Sequence, residues 1–106
     1  MRVRALDIRS ASIGGLPVPV RACTLAVRTG DDGRRAWDAV GWTPGPDPGL
    51  HARVDGAGPL PVALETDEGS LAGSALVSIA AAGGTPAAGG RLSLTGVGGL
   101  EPWPGC

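Results

Sequence analysis

Glycine and proline make up 29 of the 106 residues, 19 and 10 respectively, and they are spread along the chain rather than gathered in one segment. Proline removes a backbone donor and clashes with the preceding turn of a helix, while glycine spends too much conformational freedom there. A helix-rich fold is therefore excluded. The same share of glycine and proline also marks low-complexity chains. Here, however, Leu, Ile and Val number 23 and the net charge is only −1, whereas a disordered chain has few apolar residues and strong self-repulsion. What remains is one small, turn-rich β domain, since a chain of this length has room for a single core.

Lys, Asn, Gln, Phe and Tyr are absent, and every basic side chain is Arg. The excess of Ala, Gly, Pro and Arg matches GC-rich codon usage. Its consequence for folding is physical. Trp37, Trp42 and Trp103 are the only large rings available to fill a core, and aromatic side chains carry much of a core's buried area. Charged residues make up 18% of the chain, against roughly 25% in an ordinary domain. A thin core and a weakly charged surface point to a chain that completes its burial against partners or copies of itself.

Alternation of apolar and polar residues marks the strands. The pattern predicts a strand over 2–9, a turn over 10–15, and strands over 18–28 and 35–42 joined by the hairpin turn Asp31-Asp32-Gly33. A proline-rich loop follows at 43–49. Strands over 51–55 and 60–65 come next, then the turn Asp67-Glu68-Gly69, a long strand over 71–79 and a last one at 92–94. Cys23, Leu25 and Val27 share one face, as do Leu71, Gly73, Ala75, Val77 and Ile79. The expectation is all-β: a small antiparallel β-sandwich or barrel of about seven strands. The two acidic turns and their flanks are alike, Val27–Ala36 against Leu64–Ala72. This reads either as a duplicated hairpin or as the common chemistry of two acidic turns.

Charge is uneven along the chain. Residues 1–28 hold Arg2, Arg4, Arg9, Arg21 and Arg28 against Asp7 alone, a net +4, while residues 29–106 carry −5. Head-to-tail packing of copies is one consequence. Arginines discouraging aggregation at a sheet edge are the plainer one. Nucleic acid is argued against, because the arginines have no stacking aromatics interleaved among them.

Chemistry-bearing motifs are few. One His (His51) and two Cys (Cys23, Cys106) with no C-x-x-C spacing do not make a zinc site. A phosphate loop needs a lysine. Gly96-Val97-Gly98-Gly99 opens no helix, and Gly73-Ser74 lies within a strand rather than at a nucleophile elbow. The paired acids Asp31/Asp32 and Asp67/Glu68 read as solvated turn tips. His51 alternates against Leu50, Ala52 and Val54, which puts it toward solvent. Cys23 packs as a small hydrophobe. A Cys23–Cys106 disulfide would suit an oxidising compartment, but no signal-peptide pattern is visible. No apolar run reaches membrane-spanning length, so the expected location is the cytoplasm or a particle assembled there. No enzyme, cofactor or metal is expected.

Residues 99–106 form the most partner-like stretch, set off as a tail from a β domain spanning 1–98. Trp103 stands between Pro102 and Pro104, stiff and apolar, and loses little entropy on docking. The candidate partner-binding residues are Trp103, Pro102, Pro104 and Leu100, with Arg2, Arg4 and Arg9 at the basic end. The functional expectation is a non-enzymatic structural or assembly protein packing in multiple copies. A phage or phage-derived particle (capsid decoration, tail or injection-system part) is the assembly expected. The alternative is a β-barrel module binding a small ligand or a protein as monomer or dimer.

Overall fold

The computed structural model describes residues 2–43, 58–81 and 90–103, with only the backbone described at Ala80 and Ala81. The strand predicted at 51–55, with His51, lies outside the described residues, as do Pro104 and Cys106. Seven strands form: β1 (Arg2–Ile13), β2 (Leu16–Val18), β3 (Arg21–Thr29), β4 (Arg35–Thr43), β5 (Leu60–Thr66), β6 (Gly69–Ala81) and β7 (Gly90–Glu101). All pairings are antiparallel in the order β2-β1-β3-β4-β7-β6-β5, and β1 also pairs with β5. Six strands thus close into a barrel, with β2 as an extra strand beside the second half of β1.

The first strand is longer than its alternation suggests. Leu6 and Ile8 point inward, and so do Ala11 and Ile13, which a strict period of two forbids. Against β5, the register steps from Ile8↔Thr66 to Ser10↔Glu65. Arg9 is therefore an extra residue, a β-bulge that returns both halves of β1 to the same face. The predicted turn over 10–15 shrinks to Gly14-Gly15, with φ of 59° and 81°. Positive φ at both central residues is the twist-matched two-residue hairpin, and glycine supplies it without steric cost. The Gly14 amide donates to the Pro61 carbonyl at 2.7 Å, tying the turn to β5.

Trp37 fills the lumen. It is 2% exposed on β4, and its indole lies against Gly96 of β7. A methyl group on Gly96 would stand 2.4 Å from Nε1. A methyl on Gly73 of β6 would meet Leu100 Cδ2 at 3.0 Å and Trp37 Cζ2 at 3.6 Å. Leu25, Leu64, Leu92 and Leu94 complete the interior, each at most 1% exposed. Trp42, five residues on, belongs to the opposite face of β4 and is 48% exposed. The expectation that both rings fill the core holds for Trp37 only.

Two other sequence readings change. β7 runs on to Glu101, so 99–101 belong to the barrel, and Leu100 is 2% exposed inside it. The two acidic hairpins both form, but the ring order sets them as mirror placements on either side of β1 and β7. No rotation takes β3 to β5 and β4 to β6 together, so their likeness lies in turn chemistry and is not a symmetry of the barrel. Thr66 shows that chemistry: its hydroxyl donates to the Gly69 carbonyl at 2.8 Å and accepts from the Glu68 amide at 3.1 Å.

Trp37→Ala is expected to cost roughly 3–5 kcal/mol, most of the stability of a marginal domain. Gly96→Ala alone should be of similar severity, because its methyl enters the ring. In the double variant that methyl meets the vacated space, so the two costs should fall well short of adding. Urea unfolding followed by circular dichroism measures all three, and strict additivity would show that the ring does not lie on Gly96.

Candidate functional site

The strand directions gather the N-terminus of β1, both acidic turns and the C-terminal end of β7 at one mouth of the barrel. There Trp103 folds back against the core, half-buried, and the Arg35 guanidinium sits 5.3 Å from its ring centroid. The indole Nε1 of Trp103 is buried and has no hydrogen-bond partner. Pro102 is exposed beside it. Trp103 thus caps its own barrel in the single chain, and Leu100 belongs to the core.

The basic stretch of sequence is not a basic region in space. Arg4, from the N-terminal segment, pairs with Glu68 of the second acidic turn. Arg28 pairs with Asp38 across β3 and β4 at 2.6 Å. Both pairs join the two oppositely charged parts of the chain. Arg2 is exposed at the same mouth, whereas Arg9 lies on the β1 bulge beside β5. The candidate residues therefore do not form one site. The acids are absorbed by turns: Asp32 accepts from the Arg34 amide at 3.0 Å and from Nε of Arg34 at 3.2 Å. Among the described residues no cluster of His, Cys, Asp and Glu could hold a metal ion.

A different set of residues does converge. Arg21 of β3 stands directly opposite Trp42 of β4, and Trp42 directly opposite Arg91 of β7. All three are exposed. Arg21 reaches this face only because β3 bulges beside it. The register moves from Arg21↔Trp42 to Thr24↔Val40, so Ala22 and Cys23 together oppose Gly41. Ala22 has φ of 49°, the one positive φ at a non-glycine residue among those described. Gly41 lets the strands approach: a methyl there would lie 2.6 Å from Cys23 Cβ and 2.8 Å from its Sγ. The bulge turns Arg21 outward and Cys23 inward. Nothing local announces this row, because its members come from three strands. Only the odd spacing between Trp37 and Trp42 hints that one ring faces out.

A shallow groove of about 510 Å³ lies over β2, β1 and β5, lined by Ser10, Ser12, Pro17, Ala63 and Glu65 among others. Its walls are small side chains with one carboxylate. Cys23, free and 4% exposed, faces the core, and burial pushes its thiol above the ordinary value of 9.0. A thiol held protonated is a poor nucleophile. Among the described residues no helix is long and apolar enough to cross a membrane.

Two expectations come from the bulge. Ala22→Gly should be neutral or stabilising by up to about 1 kcal/mol, the reverse of the usual loss on placing glycine in a strand. A thermal melt lowered by several degrees would remove the strain from Ala22. The folded Cys23 thiol keeps its proton at a pH where the unfolded one loses it. Stability is therefore full below about pH 9 and falls as pH rises from there toward the higher folded value. In Cys23→Ala that part of the decline should vanish, as urea midpoints at about pH 8 and pH 10 will show.

Comparison with protein-family models, with curated proteins and with solved structures gives no match to this chain, so its function must be argued from the barrel and its surface.

Proposed function

We propose that the chain is a non-enzymatic assembly protein that packs against further copies of itself through the outer wall of the barrel. The observation that carries this reading is the wall around β6 and β7. Leu76 is 47% exposed and Val97 44% exposed. Leu76 pairs with Thr95, and Val97 pairs with Ser74, so the two apolar side chains are diagonal neighbours across one strand pair. The net charge of −1 leaves little repulsion between copies. A second copy fits this wall better than a charged partner, because its neighbours Thr95, Ser74 and Ala72 are small and uncharged and the nearby Asp38, opposite Thr95, is already paired with Arg28.

Two further features support action from the outside. The lumen is filled by Trp37 and four leucines, which leaves ligand chemistry to the surface. The ring of strands is closed, and the extra strand β2 carries Pro17 with Pro19 beside it, which blunts edge pairing. Contact between copies then runs face to face. A particle built from many such contacts, as in a phage capsid surface, tail or injection system, is the setting that such a module fits.

Sedimentation and light scattering at tens of micromolar protein test the proposal. Oligomers are expected, and they should persist at about 500 mM salt, since the contact is apolar rather than ionic. Leu76→Asp, on an exposed position that leaves the core intact, should shift the mass to monomer. A monomer throughout, or an oligomer indifferent to Leu76→Asp and Val97→Asp, overturns the reading.

A further inference from the structure

Arg21, Trp42 and Arg91 form an unbroken row across β3, β4 and β7. Adjacent strands lie about 4.8 Å apart, so two guanidinium-bearing positions bracket one exposed indole at a backbone separation of about 10 Å. Among the described residues neither Arg21 nor Arg91 pairs with a carboxylate. The next row on the same face is Thr24, Val40, Ser93 and Ser78, paired in register. It holds no charge and three hydroxyl groups. The row is also held at a conformational cost, since Arg21 faces outward only through the left-handed Ala22. Strain of that kind concentrates where a side chain must be aimed.

The chemistry of a matching ligand follows from the order cation, ring, cation. It needs a flat face to stack on the indole and negative charge on either side of that face. A nucleobase linked to phosphate has both, and in a single strand every base has a phosphate before and after it. Stacking on aromatic side chains with arginines tracking the backbone is how sequence-tolerant single-strand binding works. Within residues 1–28 no aromatic residue is interleaved with the arginines. The sheet supplies that interleaving across strands.

We propose that Arg21, Trp42 and Arg91 bind a phosphorylated nucleobase, met as one unit of single-stranded nucleic acid. With a net charge of −1 long-range attraction is weak, so the binding rests on this local row and is strongest at low salt. Fluorescence anisotropy of a labelled short oligothymidylate, titrated with the full chain at low salt, is the direct test. Trp42→Ala should weaken binding about 5- to 150-fold, the equivalent of one stacked base, while Trp42→Phe keeps most of it. Arg21→Ala and Arg91→Ala should each lower the salt dependence by about one counterion. Circular dichroism confirms that these surface variants fold.

Competition identifies the source of the unit. Thymidine monophosphate that competes only at far higher concentration assigns the site to the polymer. Competition at equal nucleotide concentration assigns the same site to a free nucleotide. Inorganic polyphosphate has the charge without the base and should compete poorly. No binding at low salt, binding unchanged by Trp42→Ala in a folded protein, or polyphosphate competing as well as the oligonucleotide overturns the proposal.

Discussion

The barrel depends on one indole. With no Phe or Tyr in the chain and many alanines, the lumen of a six-stranded barrel has to be filled by Trp37 and the leucines around it. Burying an aromatic ring removes roughly 150–250 Å² from water, worth about 4–6 kcal/mol at 25 cal/mol per Å². Against this stands the indole Nε1, which is buried without a hydrogen-bond partner, a cost of about 1–3 kcal/mol. The apolar gain exceeds the polar loss, so the ring belongs inside. Its size then dictates its neighbours. Gly96 must lack a side chain, Gly73 nearly so, and Ala75 and Ala39 stay small where they face the same lumen.

Closure of the ring rests on β1, which pairs with β3 along its first half and β5 along its second. Both halves have to present apolar residues to one interior. The bulge at Arg9 makes that possible by shifting the alternation once, between Ile8 and Ala11. Without it Ala11 and Ile13 would face water and the seam with β5 would bury nothing. β7 is irregular near its end but keeps its alternation. Its register against β6 moves from Ser74↔Val97 to Ala72↔Glu101, two residues longer on the β7 side, and Gly98 takes φ of 81° there. An insertion of two leaves the alternation in phase, so Leu100 faces the core with Leu92 and Leu94.

Every described strand but β2 was legible from alternation, β2 and β3 being read as one strand over 18–28, and so were the inward faces of β3 and β6 and the two acidic turns. The all-β class followed from glycine and proline alone. Legibility failed at three places, and a bulge sits at each: Arg9, Ala22 and Gly98-Gly99. A bulge inserts residues without a characteristic side chain, so alternation breaks and the strand seems to end. That is why β1 reads as stopping at Arg9, whereas Leu100 reads as part of a tail because Gly96, Gly98 and Gly99 before it have no side chain to mark a face. The surface row was hidden for another reason. Trp42 lies 21 residues after Arg21 and 49 before Arg91, and only strand order makes them neighbours. The charge split along the chain misled in the opposite sense, because folding pairs Arg4 with Glu68 and Arg28 with Asp38.

The two surface features differ in chemistry and are separated along one strand. Val97 and Arg91 both face outward on β7, six residues apart, or about 20 Å at the rise of an extended strand. Leu76, opposite Thr95, stands nearer, four residues or about 13 Å from Arg91, so a second copy seated on Leu76 and Val97 leaves the Trp42 row uncovered where it extends away from Arg91. Each added copy would bring another such row to the same assembly. A single row holds one base, and its affinity alone is modest. Rows repeated at fixed spacing convert the second and later contacts into intramolecular ones, raising avidity by up to about 10²–10⁴ without any new contact. On this arrangement packing between copies and binding of a strand reinforce each other, because occupancy of several rows by one polymer favours the assembled state by the same free energy that assembly contributes to binding.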